Sequence, residues 1–325
     1  DWLAFRGDRV TWRDHFVCSR EICLVGNTLA MPAGGRTVFL QDAGETPLLR
    51  CVGEVPDYVG KEYPATFGQS ADADGNVYVQ WHRRDNAGRV EIMRLDENEI
   101  TTAVVPGTET SIDQRGLLSF ASVSVRGKDV YRVRPEQGAG LCRHSLDSGD
   151  VEVLSEHASI CPVVLTREHA VHGGLDGRLY IIPLDCGPAM SLATAKNAPI
   201  TAPVALANGR IFVPCEDGYL YIVAFDGKSQ AAVIDVTSLR DLQLSKIRSP
   251  LQGPLADSKY DWYTNYGDFS GTNANDQGLA PPLRMRWARR LEGTVKHLPV
   301  CGGGRLYMHT AEGQIIAVEQ DTGRL

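Results

Sequence analysis

The feature that most constrains the fold is a repeat in the second half of the chain. Three ten-residue segments line up, DGRLYIIPLD (176–185), DGYLYIVAFD (217–226) and EGQIIAVEQD (312–321), and each starts with an acidic residue and Gly. A Pro-Val step precedes them by 14, 14 and 13 residues. An acidic-Gly pair between apolar runs predicts a tight hairpin turn, because these residues tolerate positive φ. The repeat positions are Pro162, Asp176, Gly177, Pro203, Asp217, Gly218, Pro299 and Gly313.

Looser copies of the hairpin lie in the first half of the chain, at 28–42, 76–96 and 128–147. The six copies close on Asp42, Asp96, Asp147, Asp185, Asp226 and Asp321. These aspartates are 54, 51, 38, 41 and 95 residues apart, so four intervals fit a four-stranded antiparallel blade and the last is too long. Repeated blades predict an all-β fold, a β-propeller, because radial packing covers both faces of each sheet. A β-sandwich is the alternative, but it would not explain the recurring turn.

The end of the chain resembles a known repeat. AVEQDTGRL (317–325) is similar to the motif of the PQQ-like (quinoprotein-type) β-propeller repeat family, with Thr322, Gly323 and Arg324 as its turn and Glu319 in place of the usual Asp. In that family a Trp follows the turn and docks onto the neighbouring blade, and this position would fall just beyond Leu325. The resemblance implies a propeller of seven or eight blades, complete or incomplete in this chain.

Two octets resemble the segment with which such propellers open. DWLAFRGD (1–8) and DWYTNYGD (261–268) share Asp, Trp, Gly and Asp at the same four positions. The second octet stands where the repeat interval doubles, so we interpret it as a lead-in to a blade. It either continues one ring or begins a second one.

The repeat spacing also predicts a division of the chain. We predict about five blades over 1–235, an irregular insertion over 236–290, and a further, truncated blade over 291–325. Within the insertion, Ser238 is expected to cap one short helix. Residues 263–278 contain almost no aliphatic side chains and are predicted to form exposed loop.

The resemblance implies two classes of function. Quinoprotein dehydrogenases are known for an adjacent Cys-Cys pair, a Trp that stacks on the quinone, calcium ligands and an Asp base, and this sequence has no adjacent cysteines. It therefore resembles the propeller of the bacterial outer-membrane assembly lipoprotein more than an enzyme. We predict a non-catalytic scaffold without a cofactor, which presents loops and a central funnel to a protein or carbohydrate partner. The alternatives are a dehydrogenase that binds PQQ with calcium, and a sensor or accessory domain of a larger polypeptide.

The candidate binding residues lie at one hairpin tip, in WHRRDN (81–86). An aromatic ring, a histidine and the forked donors of two arginines could grip an acidic or sugar ligand. We predict a ligand or partner site formed by Trp81, His82, Arg83, Arg84 and Asp85. A solvated hairpin loop is the alternative.

No metal site is predicted. His169 and His172 stand three residues apart on a strand, so their side chains point to opposite faces. The oxygen-rich run that begins at Asp268 has Asn273 where an EF-hand loop needs Gly, and Leu279 where it needs Glu.

Composition argues against two further classes of partner. The net charge is −7 and the basic residues are scattered singly, so no basic stripe is offered to nucleic acid. No run of 18 apolar residues is present, so no transmembrane segment is predicted. The eight cysteines form no CxxC pair and fit either buried thiols or the disulfides of an exported protein. We expect a periplasmic or otherwise exported location.

Overall fold

The computed structural model describes residues 22–33, 36–42, 49–55, 65–82, 87–96, 99–111, 123–135, 137–185, 187–224, 234–236, 261–262, 267, 272–279, 283–291, 293, 295 and 299–325. Strands, bridges and turns make up the secondary structure of these residues, and none of them is helical. No helix long and apolar enough to cross a membrane is found among them.

The first three sheets are antiparallel blades in which sequential strands are neighbours. Blade 1 comprises β1 (Cys23–Val25), β2 (Thr28–Ala33), β3 (Arg36–Asp42) and β4 (Leu49–Val55). Blade 2 comprises β5 (Ala65–Ala71), β6 (Asn76–His82), β7 (Ala87–Asp96) and β8 (Glu99–Val104), and β9 (Thr110–Ser111) also pairs with β7. Blade 3 comprises β10 (Ser124–Arg126), β11 (Asp129–Val133), β12 (Leu141–Ser145) and β13 (Val151–Ser155).

Three further sheets follow, of which blade 4 repeats this scheme, blade 5 departs from it in its last strands, and blade 6 has three strands. Blade 4 comprises β14 (Val164–Leu165), β15 (His169–Gly173), β16 (Arg178–Pro183) and β17 (Met190–Ala193). Blade 5 comprises β18 (Ala205–Ala207), β19 (Arg210–Pro214), β20 (Tyr219–Ala224) and β22 (Arg284–Arg290), with β21 (Ile234–Val236) parallel to β22. Blade 6 comprises β23 (Val300–Gly302), β24 (Arg305–His309) and β25 (Ile315–Glu319). The predicted fold class, an all-β propeller of antiparallel blades, is confirmed.

The described residues belong to two compact units, and the boundary runs through blade 3. The first unit includes blades 1 and 2 and part of blade 3, and its buried side chains form two apolar clusters, one around Phe39 and Met93 and one around Val90 and Val130. The second unit includes blades 4, 5 and 6, which share one larger cluster that contains Phe212, Trp262 and Trp287. The middle strands β19 and β20 are almost wholly buried, because neighbouring sheets cover both of their faces.

The outer strand of blade 5 comes from far along the sequence. Strand β22 lies within the segment 236–290, which the repeat spacing predicts to be irregular, and it pairs antiparallel with β20. The register shifts at Ile222 and Val223, so Arg286 is the extra residue of a β-bulge. The helix predicted at Ser238 lies outside the described residues, and the division into three segments stays a prediction.

The prediction of an exposed loop over 263–278 is wrong for most of its described residues. Asn273 is fully buried, Gln277 is 5% exposed, and Gly267 is also buried. The reason is that residues 261–262 and 273–279, together called the inner strap, bond to the first strands of blades 4, 5 and 6. The polar side chains are buried as hydrogen-bond partners of strand edges, which a composition pattern does not reveal.

Candidate functional site

The hairpin tip predicted as a binding site lies mostly outside the described residues. Strand β6 ends at Trp81 and His82, and β7 begins at Ala87, so the structure places a hairpin there. Arg83, Arg84 and Asp85 are outside the described residues, as are the side chains of Trp81 and His82. A ligand or partner site at this tip stays a prediction.

The Pro-Val steps lie directly before the first strand of a blade. Pro162 precedes β14, Pro203 precedes β18 and Pro299 precedes β23. The acidic-Gly pairs form the turns between the second and third strands. Their glycines take the positive φ that the turn needs: Gly177 (79°), Gly218 (83°) and Gly313 (84°).

The turn aspartates of blades 4 and 5 bind a tyrosine on the strand that follows. Asp217 accepts hydrogen bonds from the Tyr219 backbone N–H at 2.9 Å and from the Tyr221 hydroxyl at 2.5 Å. Asp176 accepts the same two bonds from Arg178 and Tyr180. Burial, followed by the hydrogen bond to the carboxylate, raises the pKa of both tyrosines. This Asp–Tyr clasp stabilises the turn, so these aspartates have a structural role.

A third Asp–Tyr clasp, in blade 2, is not predicted by the repeat pattern. Asp72 accepts hydrogen bonds from the hydroxyl of Tyr78 at 2.9 Å and from the side-chain amide of Asn76 at 2.7 Å. This turn joins the first and second strands of blade 2, whereas the turns of Asp176 and Asp217 join the second and third strands of their blades. An acidic residue four to six positions before a strand tyrosine is the sequence signal that could have identified it.

The turn at Thr322 and Gly323 is held by β22. The indole N–H of Trp287 donates to the carbonyl of Gln320 at 3.1 Å, and the Arg289 guanidinium donates to the carbonyl of Gly323 at 2.5 Å. A Cβ on Gly323 would lie 2.8 Å from the Trp287 ring. Trp287 therefore packs directly on the backbone of this turn, which closes blade 6 against blade 5.

One of the two histidines of β15, His172, packs in the protein interior. His172 is fully buried, its ring stacks on Tyr180 at 5.3 Å between centroids, and Nδ1 lies 3.2 Å from the carbonyl of Gly173. Desolvation by burial lowers the pKa of His172 to about 4. The described part of the chain contains no group of three or more His, Cys, Asp or Glu that could hold a metal ion. His172 is thus a neutral packing residue.

A rigid, partly apolar surface lies beside the loop that leaves blade 2. The loop 105–108 is fixed at both ends: the Val105 N–H donates to the carbonyl of Val90 at 2.9 Å, and Arg132 donates to the carbonyl of Thr108 at 2.8 Å. Gly107 lies so close to Val151 that no side chain would fit between them. Because the loop is anchored in this way, the residues around it are presented in a defined arrangement.

This surface, here called the rim patch, consists of Val104, Pro106 and Val151. Val104 is 39% exposed and Val151 is 45% exposed, and Pro106 is also exposed. The exposed carboxylates that follow or precede it closely in sequence are Glu109, Asp147 and Asp150. Exposed β-branched side chains on fixed backbone, rimmed by charge, are typical of protein-binding surfaces.

Comparison with known proteins gives structural neighbours and no family. No protein-family model matches the chain, and no curated protein sequence matches it. Among solved structures, BamB from Moraxella catarrhalis is 13% identical with a TM-score of 0.48, over 91% of this chain and 70% of BamB. PorZ from Porphyromonas gingivalis, described as an essential bacterial surface component of the type-IX secretion system, is 12% identical with a TM-score of 0.44, over 92% of this chain and 32% of PorZ.

Proposed function

We propose that this chain is a non-catalytic β-propeller scaffold that binds a protein partner at the rim patch. The observation that carries the proposal is the exposure of Val104, Pro106 and Val151 on a loop and strands held by backbone hydrogen bonds. Exposed apolar side chains lose unfavourable contact with water when a partner covers them. A rigid surface also loses little conformational entropy on binding, which favours affinity.

The surface favours a protein over a carbohydrate. Its centre is aliphatic and its margin is acidic, whereas sugar sites need aromatic platforms and several directed hydrogen-bond donors. A partner segment with apolar and basic side chains would match both parts of the surface. Binding in a central funnel, the other part of the prediction, stays a prediction.

The proposal also covers the type of repeat and the location of the protein. We propose that the repeats are of the PQQ-like type, supported by the contact of Trp287 with the Thr322-Gly323 turn, since that family docks a Trp onto a neighbouring blade. An exported, periplasmic site of action is the setting that we propose for the scaffold.

Site-specific crosslinking tests the proposed function. A photoreactive phenylalanine analogue replaces Val151 in the full chain, expressed in its native host, and covalent adducts are identified by mass spectrometry. We expect one recurring protein adduct, reduced at least about tenfold by the additional substitution Val104→Asp, which places a charge in the interface. The matched control carries the analogue at Glu99, an exposed position at the other end of β8.

Two outcomes would contradict the proposal. One is that Val151 yields no adduct above the level seen at Glu99. The other is glycan binding that Val104→Asp leaves unchanged, which would favour the carbohydrate hypothesis. Unaltered thermal unfolding of Val104→Asp is required as evidence that the variant is folded, and an exposed position should meet that condition.

A further inference from the structure

The inner strap bonds through its backbone to two first strands. In blade 4, the Leu165 N–H donates to the carbonyl of Asn273 and the Asn275 N–H donates to the carbonyl of Leu165, both at 3.0 Å. In blade 6, Trp262 and Cys301 exchange both of their backbone bonds, at 2.9 and 2.6 Å. The strap thus forms one isolated β-bridge with β14, at Leu165 and Ala274, and another with β23, at Cys301 and Trp262.

The strap bonds to blade 5, which lies between these two, through side chains. The Asn275 amide donates to the carbonyl of Leu206 at 2.9 Å, and the Gln277 side-chain oxygen accepts the N–H of Gly209 at 2.7 Å. Asn208 donates to Asp261 at 2.9 Å. Primary amides and a carboxylate can each pair with backbone groups, so they replace the missing strand at this edge.

Three buried residues anchor the strap. Trp262 is fully buried in the apolar cluster that blades 4, 5 and 6 share, and Leu279 joins the same cluster. Asn273 is also fully buried, donates its amide to the carbonyl of Val163, and adopts a φ of 54°. Asn is among the few residues that tolerate this left-handed conformation, so its identity suits the sharp change of direction there.

We propose that the inner strap is a built-in plug, an internal strand ligand that occupies the first-strand edges of blades 4, 5 and 6. Unpaired edges present rows of N–H and C=O groups that readily accept an extended segment of another chain. The strap satisfies those groups at Leu165, Leu206 and Cys301, and it also accepts the N–H of Gly209 in the turn that follows β18. It therefore keeps these edges from pairing with other chains and couples the three blades to one another. This device is independent of the rim patch.

Complementation in trans tests the plug. In the test variant, residues 261–279 are replaced by a Gly/Ser linker of equal length, and the probe is a fluorescent peptide with the sequence of 261–279. We expect saturable binding of the peptide to the folded variant and at least about tenfold weaker binding to the unaltered chain, whose edges are already filled. A matched peptide with Asn273→Ala and Asn275→Ala should lose most of its affinity.

Equal binding to both proteins, or no binding to a variant with a native far-ultraviolet circular dichroism spectrum, would overturn the proposal. Hydrogen exchange on the full-length chain supplies a second readout in case the linker variant does not fold. Asn275→Ala should speed exchange of the Leu165 and Gly209 amides together, on the order of tenfold, and leave blade 1 unchanged. An effect at one of these two amides alone would contradict the coupling of the blades.

Discussion

At the scale of single residues, the hydroxyl groups of the clasp tyrosines form hydrogen bonds in addition to the packing of their rings. The Tyr221 hydroxyl donates to Asp217 and accepts the Ala195 N–H at 3.1 Å, so Tyr221→Phe removes two hydrogen bonds in a buried place. We expect a loss of about 2 kcal/mol in the free energy of unfolding, measured by urea denaturation. Tyr219→Phe is the matched control, with an expected change below about 0.5 kcal/mol. Equal effects of the two variants would show that the clasp contributes nothing.

The buried His172 makes stability depend on pH. Its pKa is about 4 in the folded protein against 6.5 for an unperturbed histidine, so the unfolded chain takes up a proton first as pH falls. The contribution of neutral His172 to the free energy of unfolding is complete above pH 6.5 and is lost between pH 6.5 and 4. This loss amounts to about 3 kcal/mol. His172→Phe keeps an aromatic ring against Tyr180 and should flatten this part of the stability profile. Some slope will remain, because burial also lowers the pKa of His169.

The control for the pH profile is His309→Gln, at an exposed position on β24. It should leave the slope of unfolding free energy between pH 4 and 6.5 unchanged. A profile for His172→Phe with the same slope as the unaltered chain would contradict the role assigned to His172.

Three thiols should be inert in the folded protein. Desolvation raises the pKa of Cys161 and Cys215 to about 12, and that of Cys301 well above its ordinary value. All three are free thiols and at most 3% exposed, so little thiolate is present and reagents cannot reach it. Alkylation with iodoacetamide at about pH 8, followed by peptide mass spectrometry, should modify them only after unfolding in guanidinium. Modification of native Cys161 would contradict this account.

At the scale of elements, the contact between β22 and the Thr322-Gly323 turn depends on the absence of a side chain at Gly323. Its φ is 66°, and an added Cβ would enter the Trp287 ring at 2.8 Å. We expect Gly323→Ala to lower the free energy of unfolding by about 3 kcal/mol, from backbone strain and steric conflict together. Gly313→Ala is the matched control, because φ is 84° and no atom lies within 4 Å of its Cβ position. It should lower the free energy by about 1 kcal/mol.

The difference between the two glycine variants isolates the contact with Trp287. If both substitutions lower the unfolding midpoint equally, the turn is strained only by its backbone and Trp287 does not pack on it as described. The resemblance to the PQQ-like repeat predicted a turn at Thr322-Gly323 and implied a docking Trp just beyond Leu325. The Trp that packs on this turn is instead Trp287, which lies 36 residues before Gly323 in the sequence, and no sequence pattern predicted this contact.

At the scale of the whole molecule, a scaffold and a dehydrogenase make opposite predictions about cofactor. We expect titration with PQQ and calcium to leave the quinone absorbance unchanged, with no saturable binding and no oxidation of alcohols or sugars. The control is the same titration of a known quinoprotein under identical conditions. Saturable binding with turnover would defeat the scaffold hypothesis in favour of the enzyme.

The sequence by itself determined the blades. The acidic-Gly turn, the alternating apolar strands and the Pro-Val step act over about ten to fifteen residues, so local pattern is enough to predict hairpins and their order. Positions such as Asp176, Gly177, Asp217 and Gly218 lie in the expected turns for that reason. Within the octet 261–268, Trp262 pairs with Cys301 of the first strand of blade 6, and the interpretation of the octet as a lead-in segment stays a prediction.

Only the tertiary structure decided which polar residues are internal. Leu165 and Ala274 are paired although more than 100 residues separate them, and Asn273 is buried although it lies in a run with few aliphatic side chains. The same holds for the rim patch, because the close approach of Gly107 to Val151 joins residues that are far apart in sequence. A strand edge accepts any segment that can satisfy its backbone groups, so neither composition nor periodicity reveals which segment does so.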